Sequence, residues 1–126
     1  MRKLLLGLAT AIALFSAGLG GTYKGTWSGS GGGGDFTITL TKSDAGEWKG
    51  DVTFGFGGEA VKTKVTSVKV DGDKLTVVYT FDLQGTVLES TVTGELKDGA
   101  LSGGYHTKAM ADNSAVDEGT WKATGQ

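Results

Sequence analysis

The sequence has 126 residues, a formal net charge of −2, 23 glycines and neither proline nor cysteine. A chain of this length can bury one modest core, which excludes a multidomain protein. The slightly acidic charge balance excludes the strongly basic surface typical of nucleic-acid-binding proteins, and the lack of cysteine excludes disulfides and thiolate metal sites.

The first twenty residues have the organisation of a secretory signal peptide. A short basic start precedes an apolar stretch that is too short to span a bilayer, and small residues follow it. These segments are Arg2-Lys3, 4–15 and 16–20. We expect cleavage between Gly18 and Gly21, so residues 1–20 are the predicted signal peptide and residues 21–126 the predicted single domain. This domain would contact a membrane only during export and would be periplasmic or secreted.

The predicted mature domain is acidic and contains no arginine. Residues 21–126 hold ten lysines and fourteen acidic residues, so ten minus fourteen gives a net charge of −4. Arginine supplies the rigid bidentate fork that recognises phosphates and carboxylates. Its absence disfavours such ligands, and we expect a monomer with neither a nucleic-acid partner nor a cofactor.

Period-two alternation of apolar and polar residues dominates residues 21–126 and predicts an all-β fold. Each strand would bury one face and expose the other, and helical periodicity is missing. The inward-facing residues of the eight predicted strands are, in chain order, Tyr23, Gly25 and Trp27; Phe36, Ile38 and Leu40; Trp48, Gly50, Val52, Phe54 and Phe56; Val61, Thr63 and Val65 with Val68 and Val70; Leu75, Val77, Tyr79, Phe81 and Leu83; Leu88, Ser90, Val92, Gly94 and Leu96; Leu101, Gly103, Tyr105 and Thr107; and Gly119, Trp121 and Ala123.

Short connections separate these strands. The fourth strand changes parity between Val65 and Val68, which predicts a β-bulge near residues 66–67. Tight hairpin turns are expected at Asp71-Gly72-Asp73 and Asp98-Gly99, because Gly and Asp tolerate the positive φ of such turns. Because no connection is long enough for a parallel crossover, we expect an antiparallel up-and-down meander.

An eight-stranded meander can close into a small barrel or split into a β-sandwich. Closure is favoured because it removes both exposed sheet edges. Two matching tripeptides, Gly25-Thr26-Trp27 and Gly119-Thr120-Trp121, would lie side by side in the first and last strands of a closed barrel. Glycines with inward parity would also suit a tightly curved wall.

The tripeptide Gly25-Thr26-Trp27 resembles the first strand of the calycins, which are the lipocalins, fatty-acid-binding proteins and avidins. In these proteins a Gly-x-Trp places an indole at one end of the barrel. The whole run of strands is similar to small exported bacterial lipocalin-like domains of unassigned function. The resemblance implies a barrel in which Trp27 and Trp121 are structural plugs. The chain lacks the Thr-Asp-Tyr turn and late arginine of true lipocalins and the asparagine and serine that follow Gly-Thr-Trp in avidins, so no biotin site is implied.

The sequence contains no catalytic or cofactor motif. His106, the single histidine, has outward parity, and one histidine without cysteine does not make a zinc site. The acidic residues at 71–73 and 112–118 do not match a calcium-binding loop. The glycines at 31–34 are not followed by the lysine and helix of a phosphate-binding loop. We therefore expect a protein that is not an enzyme and holds no metal.

Aromatic and hydroxyl side chains on the predicted inner face form the candidate binding site. The residues assigned to it are Tyr23, Trp48, Tyr79, Ser90 and Tyr105. A buried hydroxyl requires a partner, which would be protein, water or a ligand.

Two function classes stay open. The first is a non-enzymatic carrier or sensor that binds a small apolar or aromatic molecule inside the barrel. The second is an envelope or extracellular module that acts in structure or protein interaction through its outer surface and has a filled core. A cavity of about 300 Å³ or more would favour the carrier, and a filled interior would favour the module.

Overall fold

The structure is a computed structural model and describes residues 19–126. Residues 1–18, and with them most of the predicted signal peptide, lie outside this range. The described part of the chain forms nine strands: β1 (Gly21–Gly29), β2 (Gly32–Lys42), β3 (Trp48–Phe56), β4 (Glu59–Lys62), β5 (Lys64–Asp71), β6 (Lys74–Leu83), β7 (Thr86–Lys97), β8 (Ala100–Ala109) and β9 (Ala115–Gly125). Between residues 19 and 126 no helix is long and apolar enough to cross a membrane.

The nine strands form one antiparallel sheet in the order β4-β3-β2-β1-β9-β8-β7-β6-β5. The first and last strands pair near its centre, where Trp27 lies opposite Trp121. The prediction that the two Gly-Thr-Trp segments lie side by side is therefore confirmed, and so is the all-β antiparallel meander. Because all nine strands belong to a single sheet, the alternative of a two-sheet sandwich is wrong.

The predicted eight-stranded closed barrel needs two corrections. The segment predicted as the fourth strand is divided at Thr63 into β4, which pairs with β3, and β5, which pairs with β6. Hydrogen-bonded pairing therefore stops between β4 and β5, and the sheet is a curled half-barrel. The hydroxyl of Thr63 donates to the carbonyl oxygen of Val52 at 2.7 Å. This bond occupies an acceptor that β3 would otherwise offer to a closing strand.

Local backbone features follow the sequence expectations. The register between β5 and β6 shifts between Val65 and Ser67, which confirms the predicted β-bulge. At the turn between β7 and β8, Asp98 has a φ of 55° and Gly99 a φ of 81°. Both values lie in the left-handed region, which tight hairpins require. The predicted hairpin at this dipeptide is therefore confirmed.

The hydrophobic core lies on the inner face of the curled sheet. Ile38, Val77 and Leu101 have no exposed surface, and each belongs to the predicted inward parity. The hairpins define two ends of the sheet. We call the end with the turns at 30–31, 57–58, 84–85 and 110–114 the upper end, and the end with the turns at 43–47, 72–73 and 98–99 the lower end. Leu19 is buried in the core cluster.

Glycine is required where neighbouring strands approach closely behind a tryptophan. Gly103 in β8 lies opposite Trp121 in β9. A Cβ atom at Gly103 would lie 1.9 Å from the carbonyl oxygen of Thr93 on β7. The next residue, Gly104, has the outward parity, and a Cβ atom there would meet its nearest neighbour at 3.4 Å, an ordinary contact. The two adjacent glycines therefore differ in the space around them.

This difference predicts opposite effects of the same substitution. Gly103→Ala should lower the free energy of unfolding by at least about 2 kcal/mol, because the methyl group overlaps a backbone oxygen that cannot move away without breaking the sheet. Gly104→Ala should be neutral or raise it by up to about 1 kcal/mol, because alanine loses less backbone entropy than glycine. Urea denaturation of both variants measures these changes. Equal effects at the two positions would contradict the described close approach.

Candidate ligand-binding site

A cavity of about 170 Å³ lies on the inner face at the upper end of the half-barrel. Half of its lining residues are aromatic, among them Trp27, Phe36, Phe54, Tyr79, Tyr105 and Trp121. The volume is below the roughly 300 Å³ typical of pockets for drug-sized ligands. It is similar to that of an apolar cavity of about 150 Å³, which is large enough to bind benzene. The interior is therefore neither filled nor spacious, and its free volume corresponds to a single small ring.

Two tryptophans on the paired central strands form part of the cavity wall. The indole nitrogen of Trp27 donates to the carbonyl oxygen of Gly55 at 3.0 Å, and that of Trp121 donates to the carbonyl oxygen of Thr93 at 2.9 Å. Each indole thus reaches across one strand to the next. The Trp27 ring also meets the Tyr105 ring edge-on, with ring centres 6.0 Å apart. Their proposed role as structural plugs stays a prediction.

Three hydroxyl side chains form a row across β6, β7 and β8 in the cavity wall. Tyr79 lies opposite Ser90, and Ser90 lies opposite Thr107. The Ser90 and Thr107 hydroxyl oxygens are hydrogen-bonded at 2.5 Å, and the Ser90 hydroxyl is near enough to Tyr79 to affect the pKa of its phenol. All three residues are buried. Burial raises the pKa of Tyr79 to about 12, against a smaller opposing effect of the Ser90 hydrogen bond. We call these residues the hydroxyl row.

At the upper end, a carboxylate ties the β1–β2 turn to β8 and β9. Asp117 Oδ1 accepts hydrogen bonds from the Ser30 hydroxyl at 2.7 Å, the Ser30 amide at 3.1 Å and the Gly31 amide at 3.3 Å. Asp117 Oδ2 accepts from the Tyr105 hydroxyl at 2.7 Å. We call these four residues the Asp117 clasp. Asp117 and Tyr105 both line the cavity, so the clasp forms one side of it.

The clasp changes the acidity of both of its titratable groups. Burial raises the pKa of Tyr105 well above its ordinary value, and the hydrogen bond to Asp117 raises it further. Burial alone would also raise the pKa of Asp117, but the hydrogen bonds from Ser30, Tyr105 and the backbone outweigh it. The pKa of Asp117 is therefore lowered, and its carboxylate is the stable form at neutral pH.

Exposed apolar side chains surround the upper end. Within residues 19–126, the large hydrophobic side chains with the greatest exposure are Phe56, Val87, Met110 and Val116, each between 38% and 49% exposed. Phe56 ends β3, Val87 is near the start of β7, Met110 follows β8 and Val116 is near the start of β9. All four therefore lie at the end of the sheet that holds the cavity. We call them the apolar rim.

The cavity brings together three of the five predicted binding residues. Tyr79, Ser90 and Tyr105 line it, whereas Tyr23 and Trp48 do not. Tyr23 and Trp48 belong to the lower end, where β1 and β3 begin. Tyr23 is buried, which raises its pKa, and Trp48 is half-buried with the Lys42 amine 5.8 Å from its ring centre.

Sequence reasoning did not assign Asp117 to the site. Its parity matches that of Gly119 and Trp121, so the alternation along β9 contained the signal that it faces inward. The exposed His106 lies on the outer face opposite Glu118 and Thr91, as its parity predicts. Among residues 19–126 no group of three or more histidine, aspartate or glutamate side chains is arranged to hold a metal ion.

Comparison of the chain with protein-family profiles, with curated proteins and with solved structures finds no match.

The tryptophans at the two ends should contribute unequally to stability. Trp27→Ala should lower the free energy of unfolding by about 3 to 5 kcal/mol, because it removes a buried aromatic side chain from the core. Trp48→Ala should cost clearly less, since Trp48 is only partly buried and packs against the core cluster without belonging to it. Denaturant titration followed by far-UV circular dichroism measures both values. A loss at Trp48 as large as that at Trp27 would contradict the different environments of the two rings.

The Asp117 clasp should make stability depend on pH in the acid range. At pH 7, Asp117→Asn should lower the free energy of unfolding by about 1 to 2 kcal/mol, because hydrogen bonds to a charged acceptor are lost. The folded-state pKa of Asp117 is depressed, so its contribution is complete above the unfolded value of about 3.9 and is lost as the pH falls through the folded value. Melting curves of the wild type and the variant should therefore converge in strong acid.

A second variant provides the control for this prediction. In Tyr105→Phe the carboxylate keeps the donors from Ser30 and Gly31. The acid-dependent loss of stability should therefore persist. Identical pH profiles for Asp117→Asn and the wild type would show that Asp117 does not stabilise the fold through its charge.

Proposed function

We propose that this protein is a non-enzymatic carrier or sensor that binds one small apolar or aromatic molecule at the upper end of its half-barrel. The observation that carries the proposal is the aromatic-lined cavity of about 170 Å³ beside the apolar rim. Exposed apolar side chains gathered at one place on a soluble protein often mark a binding site. Here two of the four, Phe56 and Val116, line the cavity itself.

We also propose that the protein is exported and that it is lipocalin-like. The basic, apolar and small-residue segments at the start of the chain support export to the periplasm or the exterior. The Gly25-Thr26-Trp27 segment and the all-β meander support a lipocalin-like protein, in which the inner face of the sheet holds the ligand. We propose a monomer that has no nucleic-acid partner and meets a membrane only during export.

Export predicts a defined start of the mature chain. N-terminal sequencing of the protein from the exported fraction should return a first residue between Leu19 and Thr22, because small residues precede this stretch as signal peptidases require. An intact Met1 in that fraction would contradict the export proposal. It would leave the binding proposal untouched, since the cavity lies at the other end of the sheet.

Blocking the cavity should abolish binding. Val92 is buried and lines the cavity, whereas the preceding residue, Thr91, pairs with the exposed His106 on the outer face. Val92→Phe should therefore fill the space meant for a ring, and Thr91→Phe adds the same ring to the outside as a matched control. Titration with toluene, followed by amide chemical shifts, should show binding by the wild type and by Thr91→Phe but not by Val92→Phe.

The same titration also bears on the absence of catalysis. His106→Ala should leave binding unchanged, because this side chain is exposed on the outer face. A large loss of binding or of any measured activity in that variant would contradict the non-enzymatic proposal. Native mass spectrometry of the protein purified from its own host would identify a retained ligand directly.

The second candidate is an envelope or extracellular module that works through its surface without a ligand. The apolar rim supports it, because four exposed hydrophobic side chains at one end could also contact a protein partner. The two candidates give different titration results. If neither toluene nor phenol shifts the amides of the cavity wall in the wild type, the carrier function is wrong and the module remains.

A further inference from the structure

We infer that the cavity selects a neutral single-ring molecule that carries one hydrogen-bond-accepting oxygen, such as a phenol, and that the hydroxyl row of Tyr79, Ser90 and Thr107 binds this oxygen. The inference rests on the proposed carrier function and names the chemical class of its ligand. It is supported by the unused donor of the hydroxyl row, by the charge of the cavity wall and by the size and shape of the space.

The hydroxyl row holds more donors than its own hydrogen bonds use. Three hydroxyl groups carry three protons, and the row uses at most two of them internally, one between Ser90 and Thr107 and one between Tyr79 and Ser90. Within residues 19–126 none of the three hydroxyls makes a further hydrogen bond to a side chain or to the backbone. At least one proton is therefore left to donate, in residues that are at most 6% exposed. Buried polar groups are rarely left without a partner, so we expect a water molecule or a ligand atom to accept a hydrogen bond from this row.

The charge of the cavity wall disfavours ionised ligands. Among the described residues that line the cavity, Asp117 is the only charged one. A carboxylate or phosphate would meet this negative charge and no lysine or arginine. A cationic amine would find the two oxygens of Asp117 already occupied by four donors from Ser30, Gly31 and Tyr105. Burying an unpaired charge in such a place is costly, so a neutral molecule fits best.

The shape of the cavity favours one flat ring. The Phe54 ring centre lies 5.0 Å from that of Phe81 and 6.0 Å from that of Trp27, and in both pairs one ring meets the other edge-on. Aromatic rings in such clusters offer faces and edges on which another ring can pack. The volume of about 170 Å³ accommodates one ring with a small substituent. An oxygen substituent turned towards β6, β7 and β8 would meet the hydroxyl row.

Phenol and toluene give a direct test, because they differ by a hydroxyl and a methyl group of similar size. In a purely apolar cavity phenol would bind more weakly than toluene, since its hydroxyl would lose water without compensation. With the hydroxyl row as partner, the wild type should bind phenol at least as tightly as toluene. Benzoate and benzylamine, the charged relatives, should not bind at the same concentrations. Isothermal titration calorimetry and amide chemical shifts measure all four probes.

The hydroxyl row is tested by removing its three hydroxyls together. In the triple variant Tyr79→Phe, Ser90→Ala, Thr107→Val, toluene should still bind, which shows that the cavity is intact. Phenol should become weaker relative to toluene by about tenfold or more, as expected when a buried polar group loses its partner. A single substitution is not sufficient, because each leaves another free donor in the row.

The possible outcomes are distinct. Toluene binding with phenol at least tenfold weaker in the wild type would overturn this inference and leave the carrier function standing, with water as the partner of the hydroxyl row. Binding of benzoate or benzylamine would overturn the neutral class. Failure of every probe to bind the wild type would overturn the carrier function as well. If the triple variant does not fold, the relative affinities of the wild type for phenol and toluene still test the inference.

Discussion

The pairing of β1 with β9 is the constraint on which the rest of the structure depends. It joins the two ends of the meander and sets Trp27 opposite Trp121 at the centre of the sheet. Each indole then crosses a glycine on the adjacent strand and binds a carbonyl oxygen two strands away. Those crossings require strands without a side chain at that point, because a Cβ atom at Gly34 would lie 2.2 Å from a backbone oxygen. The resulting close packing curls the sheet and brings β6, β7 and β8 to face β2 and β3 across the interior.

The same curvature explains why only part of the candidate site could be predicted. Alternation along a strand tells which face a side chain occupies, and it correctly placed Tyr79, Ser90 and Tyr105 inside. It says nothing about position along the strand, so Tyr23 and Trp48 share that face and yet belong to the lower end, away from the cavity. The Asp117 clasp was not assigned for a related reason. An acidic residue beside a loop usually faces solvent. The four hydrogen-bond donors of Asp117 come from a turn more than eighty residues earlier and from a neighbouring strand, so no local pattern reveals them.

The fold was predictable where local physics decides it. Period-two alternation located the strands, the parity change located the bulge, and positive φ at Asp98 and Gly99 follows from residue types that tolerate it. The division at Thr63 was not predictable in this way, because the residues on both sides of it keep a strand pattern. The division arises because β4 pairs with β3 while β5 pairs with β6. Which neighbour each strand can reach is decided only when the whole sheet is assembled. Cavity volume likewise depends on how rings from distant strands pack, which composition does not determine.

The interruption between β4 and β5 also affects how the molecule can move. Where β1 meets β9, separating the strands would break a continuous series of backbone hydrogen bonds at the centre of the sheet. Between β3 and β5 no such series of backbone hydrogen bonds exists. The hydroxyl of Thr63, which lies between β4 and β5, donates to the carbonyl oxygen of Val52 on β3. Opening the interior along this seam therefore costs side-chain contacts and little backbone pairing. The half-barrel thus has one line parallel to its strands along which separation breaks few backbone hydrogen bonds, whereas separation at the tryptophan-paired centre would break many.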